Sequence, residues 1–555
     1  MAKIFKKLAF LVAIVTAATS FLTACSDKST SSSESSSKSS SEVQGAAMKD
    51  YAVGKTFKAT KPLTFTSMYN DASWYAYKKD WLLWSEITKR TNVSLDLTIV
   101  PMSDYNQKRS LLISSGDAPL IIPKTYPGQE TPYVASGAIL PISDYVKYMP
   151  NFLDKVKKWN LQPEIDNLRQ ADGKYYLLPG LHEEVWPDYT LAIRTDIFEK
   201  NNIAVPKTWD EFEAALKKLK EAYPDITPFS DRWSTSGNGG ALGALLNYAA
   251  PTFGTVGGFG TQNYVTYNED KEKFEFAGAT KEYKEMLTYF NKLIKEGLMD
   301  KESLSQSDDQ AKEKFVTGKS FVISTNAQEL EVMRTAMDQN LGKGNYSIAK
   351  IAVPGGPNGQ VMSGSRLENG IVINAKAKDD PNFIALLQFV DWLWYSDEGE
   401  ELAKWGVEGT TYKKENGKYT LMPDVNYLGL NPAGTKDLRV DYGFGTGTFA
   451  YGGTTELLQS TMSEEEIKFQ NEMAKKKALP VAPPYPMEAM DQEQATLLVT
   501  PLVDTVRENT AKFILGSRSL SEWDKYVDEL NAKGMDKYID MINKAHEDYE
   551  KKMKK

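Results

Sequence analysis

Cysteine and histidine are scarce in this sequence of 555 residues. It contains one cysteine, Cys25, and two histidines, His182 and His546. A single cysteine cannot form an internal disulfide, and so few thiol and imidazole groups disfavour a metal site built from them. Neither histidine lies in an HExxH pattern. We therefore predict no metal ion and no cofactor.

Positive charge is also in deficit, with 66 Lys and Arg residues against 74 Asp and Glu residues and a net charge of −8. A nucleic-acid-binding protein favours a basic surface, so we predict no nucleic-acid partner. No segment after Leu22 has ~20 uninterrupted apolar residues, the length that spans a bilayer. No GxGxxG or P-loop pattern is present, which leaves nucleotide binding without support.

The N-terminal segment is both basic and apolar. Three lysines precede an apolar run at 8–22, the layout of a secretory signal peptide. The run ends in Leu-Thr-Ala-Cys at 22–25, which resembles the lipobox of bacterial lipoproteins. The resemblance implies a signal peptide at 1–24 and lipidation of Cys25, anchoring the chain to the outer face of the bacterial cytoplasmic membrane. An uncleaved signal anchor is the alternative.

The segment that follows Cys25 is rich in serine, most of all at 29–41. Such a composition cannot bury apolar surface and behaves as a flexible spacer, so we predict a disordered linker at 25–55. About 510 residues then remain for a globular body, enough for two to four domains.

Periodicity predicts an α/β architecture. Apolar residues alternate with polar ones at 93–99, a helix ending at Gly116 follows, and 120–122 is a short buried strand. Strand, helix and strand in close succession indicate a parallel crossover. Further on, Thr208 and Glu211 have the spacing of a capping box, and Asp380-Pro381 is predicted to open a long helix with proline at its first position.

Several segments resemble a known family, extracellular solute-binding protein family 1. The match is to its ABC-importer lipoproteins, in the large oligosaccharide-binding subgroup similar to maltodextrin-type binding proteins. The segments are SGDAPLII at 115–122, GKYYLLP at 173–179, PKTWDEF at 206–212 and QFVDWLWYSDEG at 388–399. Leu120 departs from the aspartate that is usual in this family. The calcium loop of some relatives has no counterpart with the required spacing.

The resemblance implies a two-lobed periplasmic-binding-protein-like fold of type II, with the lobes joined by hinge strands. We expect lobe 1 to contain 56–183 and 367–430, and lobe 2 to contain 184–366 and 431–555, and the sequence leaves the lobe of residues 410–500 open. The implied function is non-catalytic: a monomer captures an oligosaccharide between its lobes and delivers it to ABC permease subunits in the membrane.

Saccharides have apolar C–H faces and hydroxyl edges, so their sites combine aromatic rings with carboxylate, amide or guanidinium groups. We expect such residues where the cleft of the family would lie. The candidates are Asp71, Trp74, Lys124, Tyr126, His182, Glu183, Glu184, Trp186, Trp233, Asn326, Gln328, Arg366 and Glu408. For Glu408 a structural role at a helix end is equally compatible with the sequence.

Two other functions stay open at this point. A secreted glycoside-active enzyme needs a pair of carboxyl groups, but Glu183 and Glu184 are adjacent, and neighbours on a strand point to opposite faces. No GxSxG elbow is present either. A peptide-binding or adhesive lipoprotein is the second alternative, because the same architecture accommodates several ligand classes.

Overall fold

The computed structural model describes residues 45–72, 75–233, 240–259 and 261–553. The predicted signal peptide, Cys25 and the spacer up to residue 44 lie outside the described residues, as does Trp74. Across the described ranges, none of the helices combines the length and the apolar character needed to cross a membrane.

The α-helices of the described part are connected by loops and short 3-10 turns. They are α1 (Leu82–Thr91), α2 (Tyr105–Ser115), α3 (Pro150–Lys158), α4 (Gln162–Asp166), α5 (Thr195–Lys200), α6 (Trp209–Ala222), α7 (Gly243–Phe253), α8 (Lys281–Lys295), α9 (Asp308–Val316), α10 (Ala327–Asn340), α11 (Phe383–Tyr395), α12 (Asp397–Trp405), α13 (Thr455–Ser460), α14 (Glu464–Met473), α15 (Ala489–Leu515), α16 (Trp523–Ala532) and α17 (Met535–Met553).

The strands lie between these helices, in places several in succession. They are β1 (Leu63–Asp71), β2 (Val93–Pro101), β3 (Ile121–Thr125), β4 (Leu177–His182), β5 (Thr190–Arg194), β6 (Val265–Asn268), β7 (Lys273–Phe276), β8 (Val322–Thr325), β9 (Ile348–Lys350), β10 (Val361–Met362), β11 (Leu367–Ile373), β12 (Tyr412–Glu415), β13 (Lys418–Leu421), β14 (Val425–Asn426), β15 (Lys436–Asp437), β16 (Gly452–Gly453) and β17 (Lys477–Ala478).

A six-stranded sheet in the order β16-β4-β11-β3-β1-β2 forms the first lobe. β1 pairs in parallel with both β2 and β3, whereas β11 runs antiparallel to β3 and β4. The predicted parallel crossover is therefore confirmed, with β1 between the two strands that α2 connects. Helices α1 and α2 pack against β2 of this sheet, which makes the lobe an α/β layered structure.

A smaller antiparallel sheet in the order β8-β5-β9 forms the second lobe, together with most of the long helices. The two lobes have separate hydrophobic cores. The chain leaves the first core after Leu181, returns to it before Ile371, and leaves it again after Leu457. The resulting three crossings agree with the predicted two-lobed α/β fold.

Helix ends follow their local sequence. Gly116 ends α2 in the left-handed region at φ 77°, as predicted. Thr208 caps α6 by accepting a hydrogen bond from the Glu211 N–H at 3.1 Å, but the Glu211 carboxylate accepts from Lys207 instead of from Thr208. The predicted start of a helix at Pro381 was wrong, since α11 begins at Phe383 and Ser396 separates it from α12.

Two expected boundaries differ from the packing. The predicted flexible linker extends to residue 55, yet Ala46 and Ala47 are buried in the first core, and Tyr51 donates a hydrogen bond to Asp391 at 2.9 Å. Residues 431–457 were expected in lobe 2, whereas Leu438 and Leu457 also lie in the first core. Apolar burial therefore extends the first lobe at both ends.

Candidate functional site

The candidate site, here called the cleft, is built from residues at the crossings between the lobes and from residues at the end of β3. Lys124 has a left-handed backbone, with φ at 55°. The guanidinium of buried Arg109 donates to the carbonyl of Lys124 and, at 2.7 Å, to the side-chain oxygen of Gln129. That oxygen also accepts from the Tyr126 N–H at 3.1 Å. Arg109 and Gln129 therefore fix the backbone that presents Lys124 and Tyr126.

Lys124 lies beneath a tyrosine from a distant part of the chain. Its ammonium is 4.9 Å from the ring centroid of Tyr451. Tyr451 reaches this position because β16, which follows it directly, pairs with β4. Burial lowers the pKa of Lys124 to about 8, although the nearby charge of Glu368 opposes that shift. The ammonium is thus held in a partly dry environment beside a carboxylate.

Glu368, on β11, lies among phenol groups of both lobes. Burial raises its own pKa. Burial is the main cause that raises the pKa of Tyr126, to about 12, and the pKa of Tyr451. The charge of Glu368 is the next cause in both. Burial and the charge of Asp188 raise the pKa of Tyr189, and Glu368 adds to that shift. One carboxylate thus sits within electrostatic reach of three tyrosines.

The second lobe contributes an indole ring, that of Trp233. The guanidinium of Arg232 lies 4.0 Å from the ring centroid, a cation–π contact. Arg232 is held in turn by Glu329 at 2.6 Å and Asp308 at 3.3 Å. Asp308 also accepts from the backbone N–H of Trp233 at 2.8 Å, and the Tyr189 ring meets the indole edge-on at 5.3 Å. These contacts fix the orientation of the indole.

A buried carboxylate lies two residues before Trp233 in the chain. Asp231 is fully buried and accepts from the Ser324 N–H at 2.7 Å and the Ser324 hydroxyl at 2.9 Å. The hydroxyl groups of Ser324 and Tyr248 are 2.8 Å apart. Burial raises the pKa of Asp231 to about 6. The network ties the start of the Trp233 loop to the end of β8.

His182 and Trp186 lie on the first crossing. The imidazole is 3% exposed, and its ring centroid is 5.8 Å from that of Trp186 and 6.5 Å from that of Tyr451. Neither ring nitrogen has a hydrogen-bond partner among the described residues. Burial, followed by the charge of Lys404, lowers the pKa of His182 to about 3. The ring is therefore neutral near pH 7.

The remaining predicted site residues are distributed more widely. Asp71 accepts from the Tyr77 N–H at 2.8 Å, and Asn326 caps α10 through the Glu329 N–H at 2.8 Å. Glu183 accepts from the Thr455 N–H at 2.8 Å. Arg366 pairs with Glu164 at 2.7 Å, so its guanidinium is engaged within the first lobe. The exposed side chains are those of Glu184, Gln328 and Glu408, and Glu408 lies beside the β12–β13 hairpin, away from the cleft.

The structure thus brings together Lys124, Tyr126, His182, Trp186 and Trp233. Sequence reasoning missed other groups at the same place. They are Asp188, Tyr189, Glu368 and Tyr451. Proximity to a crossing was an available signal for Asp188, Tyr189 and Glu368, since each lies within a few residues of a predicted candidate. Tyr451 gave no such signal, because a long-range strand pairing positions it.

A cavity outside the candidate site is less suited to a saccharide. A cavity of about 650 Å³, here the C-terminal cavity, is lined by 170–173, the segment before α15 and one side of α17. Tyr549 is the aromatic residue in its lining, beside several methionines and charged side chains. Among the described residues, no group of His, Cys, Asp and Glu side chains could hold a metal ion. The cleft therefore carries the clearest binding chemistry.

Comparison with known proteins agrees with this geometry. A family model for the bacterial extracellular solute-binding protein matches residues 66–400. The chain is 26% identical to lipoprotein LipO of Bacillus subtilis over 61% of its length and just under two thirds, 66%, of LipO. It is also 26% identical to the fructooligosaccharide ABC transporter substrate-binding protein FusA of Streptococcus pneumoniae, over 98% of this chain and 99% of FusA.

A solved structure shares the fold over most of the chain. An HMO-binding, ABC-transporter-associated solute-binding protein from Bifidobacterium longum infantis superposes with a TM-score of 0.64 at 19% identity. The match covers 88% of this chain and 99% of that protein. Because the family model spans more than half of the sequence and the fold is two-lobed, the chain belongs to the bacterial extracellular solute-binding protein family.

Proposed function

We propose that this protein captures an oligosaccharide between its two lobes and delivers it to an ABC importer. The observation that carries the proposal is the cluster of Glu368 and Lys124 with Tyr126, Tyr189 and Tyr451, to which both lobes contribute. Flat rings suit the C–H faces of a sugar, while the carboxylate and the ammonium suit its hydroxyl groups. Supporting it, FusA is named for binding fructooligosaccharides.

Ligand contacts from both lobes couple binding to hinge closure. The free protein samples an open form, and a ligand that touches both walls binds the closed form more tightly. The closed form then docks on the permease subunits, and a separate subunit hydrolyses ATP. We propose that the chain acts as a monomer, anchored through lipidated Cys25 on the outer face of the bacterial cytoplasmic membrane.

We also propose that the protein releases its ligand unchanged, because it belongs to a family of binding proteins. Incubation with a bound oligosaccharide, followed by chromatography of the products, tests this part. Intact ligand is the expected result. Shortened products would indicate a glycoside-active enzyme instead.

A thermal-shift screen with oligosaccharides and peptides tests the binding function. A cognate oligosaccharide at ~100 times its dissociation constant should stabilise the folded protein by about 2.7 kcal/mol, because it binds the folded state and not the unfolded one. Monosaccharides of the same type serve as controls, since they cannot span both lobes. Stabilisation by peptides alone would contradict the proposal in favour of a peptide-binding lipoprotein.

A further inference from the structure

The charges of the cleft bear on which saccharides can enter it. We propose that the cleft selects an uncharged oligosaccharide and excludes oligouronates, and that Glu368 and Lys124 together bind hydroxyl groups of one saccharide unit. This inference rests on the proposed function. It names the substrate class of the same site.

The carboxylate of Glu368 forms no ion pair among the described residues. Within the described part of the chain, its hydrogen bond comes from the N–H of the next residue, Asn369, at 3.3 Å. β11 pairs with β3, with Gly370 opposite Thr125, which places Glu368 close to Lys124. Lys124 attracts the carboxylate but forms no ion pair with it among the described residues. A carboxylate left in this state favours hydroxyl donors and repels a second carboxylate.

Lys124 offers the complementary group. Its ammonium lies against the Tyr451 ring at 4.9 Å, and the described residues include no ion-pair partner for it. An ammonium donates hydrogen bonds and a carboxylate accepts them, so neighbouring hydroxyl groups of one sugar can satisfy both. The pair then carries no net charge, and a neutral ligand leaves that balance intact.

Two other cations near the cleft, Arg232 and Lys350, already form ion pairs with carboxylates. Arg232 is 3% exposed and contacts both Asp308 and Glu329. Lys350 lies 2.9 Å from Glu466 and 3.7 Å from Asp188, so one ammonium serves two carboxylates. Neither cation is available to neutralise an anionic sugar.

Two segments outside the described residues, 73–74 and 234–239, carry no charged side chain. Residues 73–74 are serine and tryptophan, and 234–239 contain only serine, threonine, glycine and asparagine. None of these side chains ionises near neutral pH. An oligouronate, with one carboxylate on each sugar unit, would therefore meet Glu368 and Asp188 as opposing charges beside Lys124.

Isothermal titration calorimetry on the purified full chain tests the selectivity. The probes are neutral fructo-, xylo- and malto-oligosaccharides, together with oligogalacturonate and oligoalginate of matched length. At least one neutral probe should bind, and both oligouronates should bind at least ~100-fold more weakly. If an oligouronate bound as tightly as the tightest-binding neutral probe, the proposed selectivity would be wrong. The proposal of saccharide capture would still hold. Binding of peptides only would instead overturn the proposed function, and this inference with it.

The variant Glu368→Gln separates charge from shape. Glutamine keeps the size and an acceptor oxygen but loses the charge, so the neutral ligand should bind about tenfold more weakly. Oligogalacturonate should bind more tightly than it does to the wild type, because the repelling carboxylate is gone. Glu415→Gln, on the exposed β12–β13 hairpin, is the matched control and should change neither affinity. Unchanged affinities in Glu368→Gln, with an unchanged melting temperature, would contradict the role of Glu368.

Discussion

The two lobes hold their cleft-facing side chains by different means. In the first lobe, Lys124 lies in β3 and Tyr126 follows it. Arg109 fixes their backbone by donating to the Lys124 carbonyl and to the Gln129 side chain, which also accepts from the Tyr126 N–H. In the second lobe, Trp233 sits on a loop, and ion pairs and hydrogen bonds fix its ring through Arg232 and Asp308. A sheet edge can position polar groups with few additional contacts, whereas a loop needs a polar network to position a large ring.

The largest expected effect is a loss of stability when Asp391, a buried carboxylate in the core of the first lobe, is replaced. Asp391 accepts from the Tyr51 hydroxyl, two Asn151 donors and the Phe152 N–H, all between 2.7 and 3.0 Å. Asp391→Ala should lower the free energy of unfolding by about 3 to 5 kcal/mol, because several buried donors lose their acceptor. Urea titration followed by circular dichroism measures this loss.

Asp231→Ala is the corresponding variant in the second lobe. Asp231 supports the Trp233 loop, whereas Asp391 lies in the core of the first lobe. We expect Asp231→Ala to weaken ligand binding and stability together, and Asp391→Ala to affect stability while the folded fraction binds normally. Equal losses of affinity in the two variants would show that the cleft does not depend on the network behind Trp233.

The second prediction concerns the aromatic ring that each lobe offers. Trp233→Ala should weaken oligosaccharide binding by about 1 to 3 kcal/mol, since large aromatic side chains carry much of the energy of such contacts. Tyr126→Ala should have a smaller effect, because the phenol is 46% exposed and no cation stacks on its ring among the described residues. Calorimetric titration of both variants checks the order. The reverse order would make the first lobe the main stacking surface.

A pH dependence follows from the pKa of His182 at the crossing. Its folded pKa is about 3, well below the ordinary value of 6.5. Below pH 6.5 the unfolded chain therefore binds a proton that the folded protein does not bind, so stability falls as the pH drops from 6.5 towards 3. Between pH 6.5 and pH 5 this single group should cost about 2 kcal/mol.

The variant His182→Phe isolates that contribution. The ring nitrogens have no hydrogen-bond partner among the described residues, so the replacement removes no such contact. Denaturant titrations at pH 6.5 and pH 5 should show a smaller loss of stability in the variant than in the wild type. Parallel pH profiles for the two proteins would mean that protonation of His182 does not oppose folding.

The smallest expected effect tests the positioning role of Arg109. Arg109→Met removes the donors to the Lys124 carbonyl and to Gln129, and oligosaccharide binding should weaken by about 1 kcal/mol. Arg169→Met is the matched control in the same lobe, since Arg169 pairs with Asp166 outside the cleft. Comparable changes in affinity in the two variants would show that Arg109 does not position Lys124 and Tyr126 for binding.

Local signals in the sequence predicted much of the fold. The alternation at 93–99 became β2, Gly116 ended α2, and Thr208 capped α6. The long helix expected from Pro381 is two helices, because the Ser396 side chain caps a new one by accepting from the Gly399 N–H. That interruption is a local polar contact within an otherwise apolar run, which periodicity does not reveal.

The candidate site was predictable only where it follows a strand or a recognisable segment. Lys124, Tyr126 and Trp186 satisfy that condition. Tyr451 does not, because it reaches the cleft through the pairing of two-residue β16 with β4, across about 270 positions of sequence. Glu368 gained its importance from burial among three tyrosines, a property of the assembled lobes rather than of its neighbours in sequence.

Hydrogen–deuterium exchange with and without a bound oligosaccharide tests whether both lobes hold the ligand. One ligand held by both lobes should slow exchange at 122–126 in the first lobe and at 186–191 and 231–233 in the second, with no change at the C-terminal cavity. Protection confined to one lobe, or concentrated around α17 and residues 170–173, would contradict capture between the lobes.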